Sequence, residues 1–281
     1  MISLKTLQFY TDFLNAHHLK VPDIHVVLGS GFGESLNDIS NVDWQLMAKI
    51  HLKEIPEVSP PTVMDHSGQY LIFQNKKQGT LVQFQLGRLH GYEGHSPRSV
   101  IKPVMIPRLA GVKEFILTNA AGGMTPTMKP GDVMMIQDHV NLTGQNPLIG
   151  DNPTFNQKSL GPRFPDLSKM YKNGRSEILY QSLQQKAELG VHKGIYLGLL
   201  GPSFETPAEI QLFKQWGMGA VGMSTVWEAI ALHHSGAQTT GLSLISNLAA
   251  GLSEEELDHH LVLKTCRQSA HKIMEALFET F

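Results

Sequence analysis

The sequence predicts an α/β protein: a single domain over residues 1–281 with a mainly parallel, twisted central sheet flanked by helices. Short β-branched runs recur along the chain, each closing on Gly or a small polar residue, and uninterrupted apolar runs of this kind mark strands covered on both faces. Segments of helical length separate these runs, an alternation that builds parallel sheets. The composition agrees, with 41% hydrophobic and 17% charged residues in 281. That is enough for one sizeable core, and no repeat, low-complexity segment or linker divides it.

The first strand is expected over Ile24–Leu28 and the next over Leu81–Leu86, each running into a glycine. A helix is expected over residues 96–109, then strands over 115–117 and 133–136. Residues 144–165 are rich in Pro, Asn and Gly and long for a loop, and such loops are usually functional or mobile. A helix over 176–189 and a strand over 195–200 follow. Next come a helix over 207–216, a strand over 220–223, a helix over 225–234 and a strand over 239–245. Ser253 and Glu256 form a capping box for the last helix, whose apolar positions include Leu257, Leu261, Ile273 and Leu277.

Several classes are excluded. The formal net charge is −2 with no long basic run, which opposes a nucleic-acid partner. The single cysteine, Cys266, forms no intrachain disulfide and fits a reducing compartment. The N-terminal segment carries Asp12, Asn15, His17 and His18 rather than a secretory apolar region, and no apolar stretch reaches the length of a membrane span. A cytoplasmic protein is expected. Fourteen histidines include no metal-ligand spacing, and the pairs His17-His18, His233-His234 and His259-His260 are adjacent, so no metal site is expected.

The glycine-rich string Gly29-Ser30-Gly31-Phe32-Gly33 follows the first strand. Its amides and the Ser30 hydroxyl suit an anion, although alone such a string is more often only a turn. Glu34 breaks the dinucleotide pattern, and neither a Walker A string nor a Gly-x-Ser-x-Gly elbow is present. Arg88, His90 and Tyr92 alternate, so a continuing strand places them on one face, where they read equally as anion ligands or as a solvated strand end. Asn119-Ala120-Ala121-Gly122-Gly123 is expected after a buried strand, with amides facing a ligand or simply close packing. Glu205 precedes Pro207 and reads either as a helix-start charge or as an acceptor for a ligand's donors, with Phe204 packing beside it. Ser224 or Thr225 caps a helix or faces an anion. Ser246-Asn247 closes a strand, and His259 alone is more often a surface histidine.

Together these strings resemble the trimeric purine nucleoside phosphorylases, in the family's order and spacing, from about Val26 to the last helix. The strings are Gly29-Ser30-Gly31, Arg88 to Gly94, Asn119 to Gly123, Gly201 to Thr206 and Gly222 to Thr225. The resemblance implies phosphorolysis of 6-oxopurine nucleosides such as inosine and guanosine, with phosphate as co-substrate and no metal or organic cofactor. It implies a homotrimer with shared active sites. Phosphate is expected at Ser30, Arg88, His90, the amide of Ala120 and Ser224, with His66 on a nearby mobile loop. Tyr92, Met223 and His259 are expected at the ribose, Phe204 beside the nucleoside, and Glu205 and Asn247 at the purine. Asn247, Glu205 and His90 carry the catalytic roles.

Xanthosine-tolerant and methylthioadenosine phosphorylases are the alternatives within the family, and Asn247 opposes the latter. A nucleotide-dependent oxidoreductase and a silent nucleoside-binding protein are alternatives of another class. Three departures are visible: Trp227-Glu228-Ala229 stands where Pro-Glu-Val is common, Ser246 where Thr is frequent, and Leu160 where an aromatic residue reaches a neighbour's ribose pocket.

Overall fold

Nine strands form one sheet in a computed structural model that describes residues 2–36, 43–63, 66–252 and 259–281. In chain order the first half comprises α1 (Leu4–Ala16), β1 (Ile24–Leu28), β2 (Trp44–His51), β3 (Gln69–Asn75), β4 (Leu81–Leu86), α2 (Pro97–Val100), α3 (Lys102–Ala110) and β5 (Glu114–Gly123). Then come β6 (Val133–Asn141), a small hairpin of β7 (Thr154–Phe155) and β8 (Lys158–Ser159), α4 (Gly174–Gln184) and β9 (Val191–Gly198). The chain continues through α5 (Pro207–Gln215), β10 (Ala220–Gly222), α6 (Val226–His234), β11 (Gln238–Leu248) and α7 (His259–Thr280).

The strand order is β10-β9-β6-β11-β5-β1-β4-β3-β2, and β10 also pairs with β5. That extra pairing closes β5, β11, β6, β9 and β10 into a small barrel, from which β1, β4, β3 and β2 continue as an open sheet. Closure satisfies the backbone of short β10 on both sides, so no bare edge remains there.

The sheet is mixed rather than mainly parallel. Pairs β1–β4, β1–β5, β5–β11, β6–β9 and β9–β10 are parallel, while β2–β3, β3–β4, β6–β11 and β5–β10 are antiparallel. One such reversal arises where no helix crosses over. Residues 76–80 alone join β3 to β4, and a link that short permits only antiparallel strands. Strand β2 buries Ala48 and Ile50 but exposes Gln45, Leu46 and Lys49, so it lacks the apolar run that marks its buried neighbours.

The elements depart from expectation in other ways. The helix over 96–109 breaks at Ile101, because Pro103 has no N–H to donate and its ring crowds the preceding turn. Helix α1 was not expected; Ser3 caps it by accepting from the Thr6 amide at 3.2 Å, and it buries Tyr10 and Leu14. Strand β5 continues through Asn119–Gly123 instead of stopping before that string, and β11 likewise absorbs Ser246 and Asn247. The capping box at Ser253 and Glu256 lies outside the described residues.

Helices α3 and α6 cover one face through Val104, Met105, Ile230 and Leu232, while α4 and α7 cover the other through Leu179, Leu183, Ile273 and Leu277. Among the described residues no helix is long and apolar enough to cross a membrane.

Candidate active site

A cavity of about 230 Å³ opens where the carboxyl ends of β1, β4, β5, β10 and β11 meet. It brings together Ser30, Arg88, His90, Ala120 and Ser224 with Tyr92, Phe204, Glu205, Met223 and Asn247. His66 stands behind it, with Nε2 at 3.3 Å from Ser30 Oγ. The strand from Leu81 does not continue to Tyr92, as the alternation required. It ends at Leu86, and a left-handed turn at Gly87 (φ 82°) redirects the chain. Only glycine fits: a β-carbon there would lie 2.4 Å from the His66 side chain.

Arg88 is 1% exposed and carries a full positive charge into the interior. Its Nη1 donates to the Thr118 carbonyl at 2.7 Å, and Nε lies 3.2 Å from the carboxylate of equally buried Glu228. Among the described residues its Nη2, like Nε, makes no hydrogen bond, and Arg88 lines the cavity, where the Ser224 hydroxyl lies 3.4 Å from Nη1. Gly29 makes room, since a β-carbon there would sit 3.1 Å from Nη1. Burial raises the Glu228 carboxyl's pKa, and the Arg88 charge opposes that shift.

Ser224 precedes a strained residue. Thr225 adopts φ 71°, which is costly for a β-branched side chain, and does not cap α6. Its hydroxyl instead accepts from Asn119 Nδ2 at 2.9 Å and lies 3.1 Å from Ser224 Oγ.

His90 begins a short 3₁₀ turn over Gly91–Glu93. Glu93 accepts from its amide and from Nδ1, each at 2.8 Å, leaving Nε2 of the neutral ring as an acceptor. The Thr62 amide and hydroxyl hold the other carboxylate oxygen at 2.7 and 2.6 Å. Burial pushes the Glu93 pKa up, but the donors from His90 and Thr62 win and bring it to about 2. Burial lowers the His90 pKa, against the pull of Glu93, and it brings His66 down to about 3 with help from nearby His90. The His66 and Tyr92 rings stack on His90 with centroids at 5.1 and 4.5 Å.

The remaining side chains suit a heterocycle. Glu205 is not the helix-start charge: Thr206 and Glu209 cap α5 reciprocally. Burial raises the Glu205 pKa, and no cation pairs with it among the described residues. A register shift at Ser246 turns Asn247 toward the cavity opposite Gly122. Asn247 Oδ1 accepts from the Ser246 hydroxyl at 2.7 Å and Nδ2 donates to the Leu248 carbonyl at 2.8 Å, so one amide N–H stays free.

The side chain of His259 lies outside the described residues. Leu160 packs within its own chain, in a separate groove with Ile101, Met105, Leu148 and Phe155. Phe164 projects instead, 88% exposed. The sequence alone points to no role for the side chains of Glu93, Asn119 or Glu228, and offers Thr225 only as a helix cap or an anion ligand. The spacing of His90 and Glu93, and an acid three residues into the helix after Ser224-Thr225, were the only traces of them.

A family model described as the phosphorylase superfamily matches residues 23–281. Purine nucleoside phosphorylase 1 of Geobacillus stearothermophilus is 41% identical over 90% of this chain and 88% of its own length. The chain belongs to the purine nucleoside phosphorylase family. The family extends to Bos taurus, whose purine nucleoside phosphorylase is 36% identical over 95% of this chain and 92% of its own. The crystal structure of the Schistosoma mansoni enzyme in complex with adenosine superposes with a TM-score of 0.83 at 29% identity, covering 99% of this chain and 96% of that one.

Proposed function

We propose that the chain phosphorolyses 6-oxopurine ribonucleosides and deoxyribonucleosides, such as inosine and guanosine, to free base and sugar 1-phosphate. As a family member it is a pentosyltransferase that cleaves purine nucleosides with phosphate. One observation carries the assignment of the phosphate end: buried Arg88, whose Nη2 makes no hydrogen bond among the described residues, lines a cavity that Ser30 and Ser224 also line. Phosphate held there attacks C1′ of the sugar as the glycosidic bond loosens. The dianion stabilises positive charge on the ribose, and the free Asn247 N–H donates to the purine as negative charge builds at O6 and N7. Glu205 accepts from N1–H. Tyr92, Met223 and Phe204 flank the sugar and base, and His259 is assigned the 5′-hydroxyl.

No side-chain nucleophile and no metal or organic cofactor is required by this scheme. A phosphate-dependent release of free base from inosine and guanosine tests it directly. Release at equal rates without phosphate would overturn it.

A homotrimeric, cytoplasmic enzyme of purine salvage fits this reading. The neighbour's contribution to the ribose pocket is assigned to Phe164, because Leu160 is already packed in its own chain while the Phe164 ring is 88% exposed with the Arg163 guanidinium 5.6 Å from its centroid. Phe164→Ala should raise the nucleoside Michaelis constant roughly fivefold, the loss of about 1 kcal/mol of aromatic contact. Leu160→Ala should chiefly lower the melting temperature. The opposite pattern would return the role to Leu160, and a fully active monomer in sedimentation would remove the shared site.

A further inference from the structure

Four fully buried polar side chains, Tyr10, Gln83, His25 and Gln85, take no part in the scheme above. They form one line. The Tyr10 hydroxyl donates to Gln83 Oε1 at 2.7 Å, and Gln83 Nε2 donates to His25 Nδ1 at 3.0 Å. His25 Nε2 then donates to Gln85 Oε1 at 3.2 Å, and Gln85 Nε2 donates to the Gly87 carbonyl at 2.9 Å. Each bond runs in the same direction, which requires a neutral His25 with its proton on Nε2. Burial brings its pKa down to about 3, so the ring is neutral near pH 7.

The line continues beyond Gly87. The peptide that accepts from Gln85 presents its N–H, that of Arg88, to His66 Nδ1 at 3.1 Å, and His66 Nε2 lies 3.3 Å from Ser30 Oγ. His66 has an alternative, because Nδ1 is also 3.0 Å from the Arg88 carbonyl. With its proton on Nδ1, His66 bonds that carbonyl and its Nε2 takes the one proton that Ser30 can donate. With the proton on Nε2, His66 donates to Ser30 Oγ, and the Ser30 proton is left for an anion. A bond from Gln85 to the Gly87 carbonyl polarises the shared peptide and strengthens its N–H as a donor to Nδ1, which favours the second arrangement.

We propose that Tyr10, Gln83, His25 and Gln85 form a directed hydrogen-bond chain that sets the tautomer of His66 and so frees the Ser30 hydroxyl to donate to phosphate. They are positioning residues, and the proposal rests on the assignment of the phosphate site above.

Histidine ¹⁵N spectra of the wild-type enzyme should show His66 protonated at Nε2 and unprotonated at Nδ1; the reverse overturns the proposal without any variant. Gln85→Met keeps the side chain's length and removes the donor to Gly87. It should move the His66 signals toward Nδ1 protonation and raise the phosphate Michaelis constant roughly three- to tenfold, with the nucleoside constant and the rate at saturating phosphate nearly unchanged. Tyr10→Phe, at the far end, should act in the same direction with a smaller amplitude. A lower melting temperature with unchanged His66 signals and an unchanged phosphate constant would make the chain purely structural and overturn the proposal. Arg88→Ala separates the two assignments: if it raises the phosphate constant while Gln85→Met does not, the chain fails and the phosphate site stands. If Arg88→Ala changes nothing, the phosphate site itself is misplaced.

Discussion

Arg88→Ala is expected to raise the phosphate Michaelis constant by roughly 10- to 150-fold, the loss of about 1.5–3 kcal/mol from charge-assisted donors. Nucleoside affinity without phosphate should change much less. The same substitution leaves Glu228 buried without its cation, and breaking a buried pair on one side costs about 3–5 kcal/mol of stability. Carboxyl protonation relieves part of that cost, and Glu228 is predisposed to it because burial already raises its pKa. The melting temperature of the single variant should therefore fall less at mildly acidic pH than at neutral pH. The double variant Arg88→Met with Glu228→Gln removes both charges and should recover stability without recovering phosphate affinity. An unchanged phosphate constant in Arg88→Ala would show the phosphate site to be misplaced.

Inosine and guanosine should exceed adenosine in kcat/KM by at least about 100-fold, because a site built on hydrogen bonds rejects an analogue that reverses them. In the proposed scheme Glu205, which has no cation partner among the described residues, accepts from the N1–H of a 6-oxopurine, and an N–H of Asn247 donates to O6. Adenine offers a lone pair at N1 and an amino group at position 6, so acceptor meets acceptor and donor meets donor. Ser246 reinforces the direction: its hydroxyl donates to Asn247 Oδ1, which keeps Nδ2 as the donor. Asn247→Asp, protonated in the complex, should narrow the gap by offering an acceptor to the amino group. Steady-state rates across inosine, guanosine, xanthosine and adenosine decide the matter, and comparable activity on adenosine and inosine would sink this assignment. Because burial raises the Glu205 pKa, the carboxylate to which the proposed N1–H contact is assigned is lost at a higher pH than for an ordinary glutamate as the solution is acidified. Activity should fall accordingly on the acidic side.

Much of the site was legible as strings because each string ends a strand, and a mixed α/β sheet gathers strand ends at one edge. Gly29-Ser30, Asn119-Ala120 and Ser246-Asn247 are far apart in sequence yet reach one cavity by that rule alone. The direction of β3, β6, β9 and β10 was not legible. Short connections and closure against β5 decide it, and neither leaves a periodic signal in the residues. The partners of Glu93 and Glu228 are not legible in the sequence for a related reason. An isolated acid in a string reads as a solvated charge, and only the fold shows what cation or imidazole it faces.

The sequence by itself determined the α/β class, through its apolar runs, and the family, through the order and spacing of its strings; the side chains assigned to phosphate and purine in the proposed scheme follow from that resemblance, since each string alone is ambiguous. Only the tertiary structure decided that Leu160 is spent within its own chain while Phe164 projects. It alone decided that Arg88 Nη2 makes no hydrogen bond among the described residues, and that a line of buried amides and imidazole reaches Ser30. Those facts depend on which partners remain for each polar atom after folding, and partner supply is a property of packed neighbours distant in the chain.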